Sequence, residues 1–321
     1  MNFISIPKNG ASWRNSLLYS VATADGKVQD FTIEIYLSET AEIIGRKVVY
    51  GVASAEFDIA PYLRSALTAR MANSHSAVAM SSPSALRVYV VVNGVASETR
   101  IFFRERFDIS KQQVLTLMPD NQSINHGGVI RFSVYAQRNL RVVVTRRTPE
   151  SEHTDTLVAM THSLPHEVII PTADFDPKTT NVEVVVWCDA QPIKRLNYRV
   201  IEPPSSAVRL VWYNAMGGVD SYLFLHSHRV EYKAVVTDVT VDGELSSTFR
   251  AGEVVRRLTT LPASNEMEAL AQIVYSDRVY CEVDGELTPV RLITRSLSFD
   301  EHDAIHRLSI DIKANWRGGE L

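Results

Sequence analysis

Cysteine is nearly absent: Cys188 and Cys281 are the only two in 321 residues, too few for a disulfide framework. They read as small buried hydrophobes in a chain made in a reducing compartment. Long apolar runs are also missing, and none approaches the roughly 18–20 residues of a membrane-spanning helix. No basic stretch followed by an apolar core occupies Met1 to Lys8, so a signal peptide is not expected. Positive charge is not in excess. Lys and Arg total 33 against 37 Asp and Glu, a formal charge of −4. That balance argues against a protein that coats nucleic acid, because neutralising phosphates needs a basic surplus. Catalytic signatures are lacking too. There is no Gly-x-Ser-x-Gly elbow, and neither cysteine is flanked by cationic residues that would lower its pKa. The doublets Gly127-Gly128, Gly217-Gly218 and Gly318-Gly319 lack the Lys-Ser/Thr ending of a phosphate-binding loop. The expectation is a chain with no catalytic residue and no cofactor.

Strands dominate what is present. Phe31 to Leu37, Leu86 to Val92, Val129 to Tyr135, Leu140 to Thr145, Val182 to Trp187, Arg229 to Val236 and Leu308 to Lys313 are β-branched or aromatic runs. Ile33, Ile35 and Leu37 alternate with Thr32, Glu34 and Tyr36, the period of a strand with one face on a core and one on water. Asp25-Gly26, Asn93-Gly94, Asp242-Gly243 and Asp284-Gly285 supply residues that tolerate the positive φ of tight hairpins. The last two lie in near-identical strings, Val241-Asp-Gly-Glu-Leu245 and Val283-Asp-Gly-Glu-Leu287, which predict two hairpins using the same turn.

Helical signals are few. Asp58 caps a run with an early Pro61 extending to about Met71, and Ser264 to Tyr275 follows Pro262 with glutamates in its first turn. The Asn, Ser, His, Ala and Met-rich stretch Ala72 to Pro83 reads as a flexible loop within the first domain. Pro203-Pro204 marks the sharpest break, since paired prolines cannot continue a ladder. The predicted fold is all-β, with three tandem β-sandwich-like domains and one or two short helices. Their bounds are 1–108, 109–203 and 204–321, the middle one immunoglobulin- or fibronectin-like.

Side chains with chemistry find ordinary explanations. His226 and His228 share one strand face, but no cysteine or carboxylate trio accompanies them, so no metal site is expected. His162 and His166 read as a solvated loop. His302 and His306, near Asp300, Glu301 and Asp303, read as a charged hairpin loop. Glu266 and Glu268 satisfy a helix start. Arg138, Arg141, Arg146 and Arg147 read as the solvated face of a strand, with long stems covering apolar neighbours, or as an interface with an acidic subunit surface.

One string stands apart: Trp212-Tyr-Asn-Ala-Met-Gly-Gly-Val-Asp-Ser-Tyr-Leu-Phe224. It reads as a strand, a glycine turn and a second strand. Gly217 and Gly218 allow positive φ, Asn214 or Asp220 bonds the turn backbone, and Trp212, Tyr222 and Phe224 supply core area. Its pattern, Trp-x-Asn-x-x-Gly-Gly-x-Asp-x-Tyr-x-Phe, resembles a motif of tail-region and baseplate-like structural proteins of phages and prophages from Bacteroidetes-type hosts. There it opens a β-rich C-terminal domain. The likeness covers residues 207–317 and carries no catalytic residue. It implies a non-enzymatic tail component near the baseplate or tail tip, assembled in the host bacterial cytoplasm and located in the virion. Its partners would be further copies of itself and other tail proteins, with neither nucleic acid nor membrane insertion. The competing expectation is a carbohydrate-binding or adhesin-type sandwich, in which loop aromatics and the histidine loops at 153–166 contact a host-surface glycan.

Overall fold

The computed structural model describes residues 1–66, 76–82, 84–105, 110–161, 165–241, 244–283, 286–299 and 305–314. Outside them lie the helix end at Met71, the 108/109 boundary, Asp242-Gly243, Asp284-Gly285, His162, Gly318-Gly319, and His302 with its acidic neighbours. The chain is all-β, with five sheets and two short α-helices among the described residues. No helix among the described residues is long and apolar enough to cross a membrane.

The first module contains β1 (Asn2–Ser5), β2 (Leu18–Ala22), β3 (Gln29–Leu37), β4 (Ile43–Val52), β5 (Ser54–Asp58) and α1 (Ala60–Ala66). After β6 (Val78–Ser81) come β7 (Ala85–Val92), β8 (Val95–Ala96) and β9 (Arg100–Phe103). A sheet ordered β1-β2-β5 faces a second ordered β4-β3-β7, on which β8 and β9 both pair with β7. The alternation read in β3 holds over its first part: Ile33 and Ile35 are buried and Thr32 is exposed, while Glu34, Tyr36 and Leu37 are all half-buried. Asn93 and Gly94, at φ +46° and +81°, close the β7–β8 hairpin. Asp25-Gly26 does other work. Because β2 pairs with β1 and β5, that turn carries the chain from one sheet to the other. Asp58 accepts from the amides of Ala60 and Leu17 at 2.9 and 2.7 Å, which starts α1 and anchors the preceding loop together.

The second module is built from β10 (Gln113–Val114), β11 (Asn121–Asn125), β12 (Val129–Tyr135), β13 (Asn139–Arg147), β14 (Glu152–Thr161), β15 (Pro165–Pro171), β16 (Asn181–Cys188) and β17 (Gln191–Ile201). Its two sheets run β10-β12-β15-β6 and β11-β17-β16-β13-β14. Here the structure corrects the reading of 72–83 as a loop of the first domain. Val78 to Ser81 pair antiparallel with β15, from Val78↔Ile169 to Ser81↔His166, so the first module's chain supplies the second module's edge strand. His166 is likewise a buried β15 residue, not part of a solvated loop. β12 and β15 are buried along their whole length, although a sandwich strand normally shows one face to water. Their second faces are covered by the neighbouring modules.

The third module runs β18 (Val208–Tyr213), β19 (Val219–Phe224), β20 (His226–Val241), β21 (Glu244–Thr260), α2 (Ser264–Ala271), a 3₁₀ turn (Gln272–Tyr275), β22 (Val279–Val283), β23 (Glu286–Leu292) and β24 (Leu308–Ala314). One seven-stranded sheet, β19-β18-β22-β23-β24-β21-β20, forms its frame. Its edge strands β19 and β20 are joined by Leu225 alone, so the sheet must curl on itself. Leu270, Met267 and Ile273 of the helical segment fill the curl with Trp212, Phe224, Leu258 and Ile310. His306 is buried beneath α2, its Nε2 3.2 Å from the Ser264 hydroxyl, and so is not part of a charged loop. Both near-identical Val-Asp-Gly-Glu-Leu strings join paired antiparallel strands, with Val241 opposite Glu244 and Val283 opposite Glu286.

Candidate functional site

The motif residues gather where the three modules meet. Alternation along β18 and β19 decides which way each one faces. Trp212 lies opposite Asp220, Leu210 opposite Tyr222 and Val208 opposite Phe224, so these side chains share the face toward the third module's core. Trp212 and Phe224 have no exposed surface. Tyr222 stacks edge-on against Phe224 at 5.5 Å, with its hydroxyl 3.4 Å from that of Thr260. Trp212 therefore has no surface to offer a sugar, contrary to what a glycan-contacting aromatic requires.

The polar positions reach further than a turn. Asn214 Oδ1 accepts from the amides of Met216 and Gly218 at 2.9 and 3.0 Å, closing the β18–β19 turn. Its Nδ2 donates to the carbonyl of Leu115 at 2.9 Å, a residue of the linker ahead of β11. Asp220 takes a hydrogen bond from the Asn214 side chain and also reaches past the turn, accepting from the Thr116 hydroxyl at 2.5 Å and from the Leu117 amide at 3.4 Å. Gly217 has φ +75°, as a turn glycine should. Gly218 serves a different need: a Cβ there would lie 1.9 Å from the Leu115 carbonyl oxygen. Val219 completes the grip by donating its amide to Ser133 Oγ of β12 at 3.1 Å.

The clasped linker is itself a plug. Leu115 is buried with Phe103 and Ala85 of the first module and Tyr135 of the second. Met118 enters the third module's core. One short segment thus inserts one side chain between the first two modules and another into the third module's core, and the motif holds the backbone between them. Leu115, Thr116, Met118 and Ser133 carry this joint and were not singled out in the sequence. For the first three the only signal is the short apolar string at 114–118, whose hydrogen-bond partners Asn214 and Asp220 lie about a hundred residues further along the chain.

Charge is buried at the same place. Arg131 of β12 and Glu167 of β15 are hydrogen-bonded and fully enclosed. Arg209 lies 3.8 Å from Glu282, and Glu282 accepts from the Val129 amide at 3.2 Å. Arg209 also reaches Asn125 Oδ1 and the Ser123 carbonyl at 3.3 and 3.4 Å, spanning the second and third modules. Burial raises the carboxyl pKa values of Glu167 and Glu282, partly offset by their arginines, and lowers that of Arg209. Burial also pushes Asp220 up to about 6, against the pull of its hydrogen bonds from Thr116, Asn214 and Leu117.

Between the first and third modules, Arg14, Arg64, Arg104, Asp277, Arg278 and Trp13 line a groove of about 420 Å³. Arg104 bonds Asp277 at 2.5 Å and lies over the Tyr213 ring at 4.4 Å. Arg14 pairs with Glu105 at 2.5 Å. The groove is thus an ion-paired seam. On the second module's outer sheet, Arg141 and Arg146 lie over the rings of Trp187 and Phe175 at 5.2 Å each, as stems covering apolar neighbours should. His226 starts β20 exposed, and the side chain of His228 lies outside what is described. Among the described residues no three His, Cys, Asp or Glu side chains converge on a metal position. Cys188 is buried and Cys281 partly so, both unpaired.

No family model and no curated protein matches the chain. Among solved structures, it is similar to the FN1–FN3 domains of chicken CNTN1 over 98% of this chain and 96% of that one, at 9% identity and a TM-score of 0.19. It is similar to CBD12 from CALX1.2 over 55% of this chain and 77% of that one, at 9% identity and a TM-score of 0.17.

Proposed function

We propose that the chain is a non-enzymatic structural component of a phage or phage-derived tail, placed near the baseplate or tail tip. It works through protein–protein contacts in an oligomeric assembly with itself and other tail proteins. One observation carries this reading: the motif that suggests the family is the clasp that fastens all three modules. Asn214, Gly218 and Asp220 are directed at Leu115 to Leu117 and not at a cleft. A part of an assembly must present its surfaces at fixed relative positions, and a buried joint of this kind supplies that. The burial of both faces of β12, β15 and β18 serves the same end.

The test is fractionation of particles together with light scattering of the purified chain. The reading predicts a defined oligomer and co-sedimentation with tails, seen by tag labelling at the tail end distal to the head. A compact monomer that is absent from particles would overturn it.

A further inference from the structure

The strand pair β20–β21 runs past the sheet that carries it. β24 holds β21 only from Val255 to Thr260, whereas the β20–β21 ladder continues to Val241 and Glu244. Residues 232–241 and 244–254 therefore form a two-stranded ribbon. At about 3.3 Å per residue it reaches on the order of 30 Å beyond the sheet. A two-stranded ribbon is marginal in water by itself. Among the described residues β20 pairs with β21 alone, which makes it an edge strand of the sheet, the kind of edge on which another strand can add. At the ribbon's root Val230 is 42% and Tyr232 80% exposed.

Pairing geometry narrows what can lie there. In an antiparallel pair, opposite residues either both hydrogen-bond toward the partner or both turn away. Two copies of one strand related by a two-fold axis must therefore place some residue opposite its own mate. Centring on Tyr232 puts Glu231 opposite Lys233 twice and Val230 opposite Ala234 twice. Centring on Ala234, Val235 or Val236 brings no opposite charges together, and centring on Lys233 or Glu231 sets like charges face to face. A centre at Val230 meets the register shift between Ser227 and Arg229 right beside the axis, whereas a centre at Tyr232 meets it only further out along the pairing.

We propose that β20 of one copy pairs antiparallel with β20 of a second copy about a two-fold axis at Tyr232. The two seven-stranded sheets then become continuous, and each ribbon lies along the root of the other. The partner is a second copy of this chain, and the proposal rests on the reading of the protein as an assembly component. Such a contact is isologous, and it closes without leaving a free template.

Charge reversal on the full chain tests it. Glu231→Lys or Lys233→Glu alone sets like charges opposite each other at two places. Light scattering and sedimentation should show the dimer dissociation constant rising on the order of tenfold for each. The double variant E231K/K233E exchanges the pair and should restore it. In parallel, Tyr232→Cys should give an oxidised covalent dimer, because that residue meets its own mate, while Ala234→Cys should not. A wild-type monomer at every concentration overturns the proposal. So does a dimer indifferent to the single changes, a double variant no better than the singles, or equal cross-linking at 232 and 234. A monomer that still enters tail particles sinks the strand pairing and leaves the assembly reading intact. A dimer that obeys the swap but never enters particles does the reverse.

Discussion

Replacing Gly218 with alanine adds one methyl group at the point where the motif meets the linker. The new Cβ would lie 1.9 Å from the Leu115 carbonyl oxygen and 2.7 Å from Leu115 Cβ. Ordinary contact needs the oxygen to retreat by about 1.5 Å. Leu115 cannot yield freely, because it is fully buried between the first two modules. Overpacking of this kind is worth about 1–3 kcal/mol. The retreat also stretches the 2.9 Å Asn214–Leu115 bond, worth about 1 kcal/mol. We therefore expect Gly218→Ala to destabilise the chain by about 3 kcal/mol, lowering Tm by roughly 4–5 °C if all 321 residues unfold together. Gly26→Ala is the control. Its φ is +70° with nothing within 4 Å of the added Cβ, so it carries backbone strain alone, about 1–2 kcal/mol. Calorimetry and urea unfolding of both variants decide. If Gly218→Ala melts within 2 °C of wild type, or no lower than Gly26→Ala, the clasp does not hold the linker as argued.

Three other outcomes follow from the joint. Asp220 titrates near 6 in the folded chain against an ordinary 3.8, so the folded state binds its proton more tightly and this group's contribution to stability falls as pH rises from about 4 through 6. The stability difference between wild type and Asp220→Asn should shift by up to about 3 kcal/mol across that window; identical differences in urea unfolding at pH 4 and 7 would contradict it. Arg131→Met leaves Glu167 enclosed without its partner and should cost about 3–5 kcal/mol, while Arg131→Met with Glu167→Leu should recover most of that loss. Equal loss in the single and double variants would show that the ion pair is not the cause. Replacing Val78 to Ser81 with a Gly-Ser segment should bare the β15 edge, so amide exchange should quicken in β15 of the second module. Faster exchange confined to the first module would show that β6 belongs there.

What was legible in the sequence follows from which faces meet water. Phe31, Ile33 and Ile35 announced β3 because Thr32 faces solvent between them. β12 and β18 read as strands by composition, but a strand buried on both faces does not reveal what covers the second one. The motif showed its hairpin and its aromatic core positions for the same local reasons. It did not show the clasp, because Asn214 and Asp220 bond partners 99 and 104 residues earlier in the chain. Two glycines in a row suggested turn flexibility at both, yet only Gly217 needs positive φ. Gly218 is required by the backbone of Leu115 passing beside it. β6 was hidden most completely: a short Val-Ala-Met-Ser strand has no alternation to read, and its ladder is made with residues 166–169.

The central claim is that the motif binds the linker 115–118 as firmly as a core strand. Native-state amide exchange tests it on the unmodified protein. The amide of Leu117, bonded to Asp220, and those of Met118 and Gly218, bonded to Thr116 and Asn214, should exchange only with the opening that frees the β18 core amides. If these amides exchange within seconds, as exposed loop amides do, while β18 remains protected, the linker is not held and the three modules are not fastened by this motif.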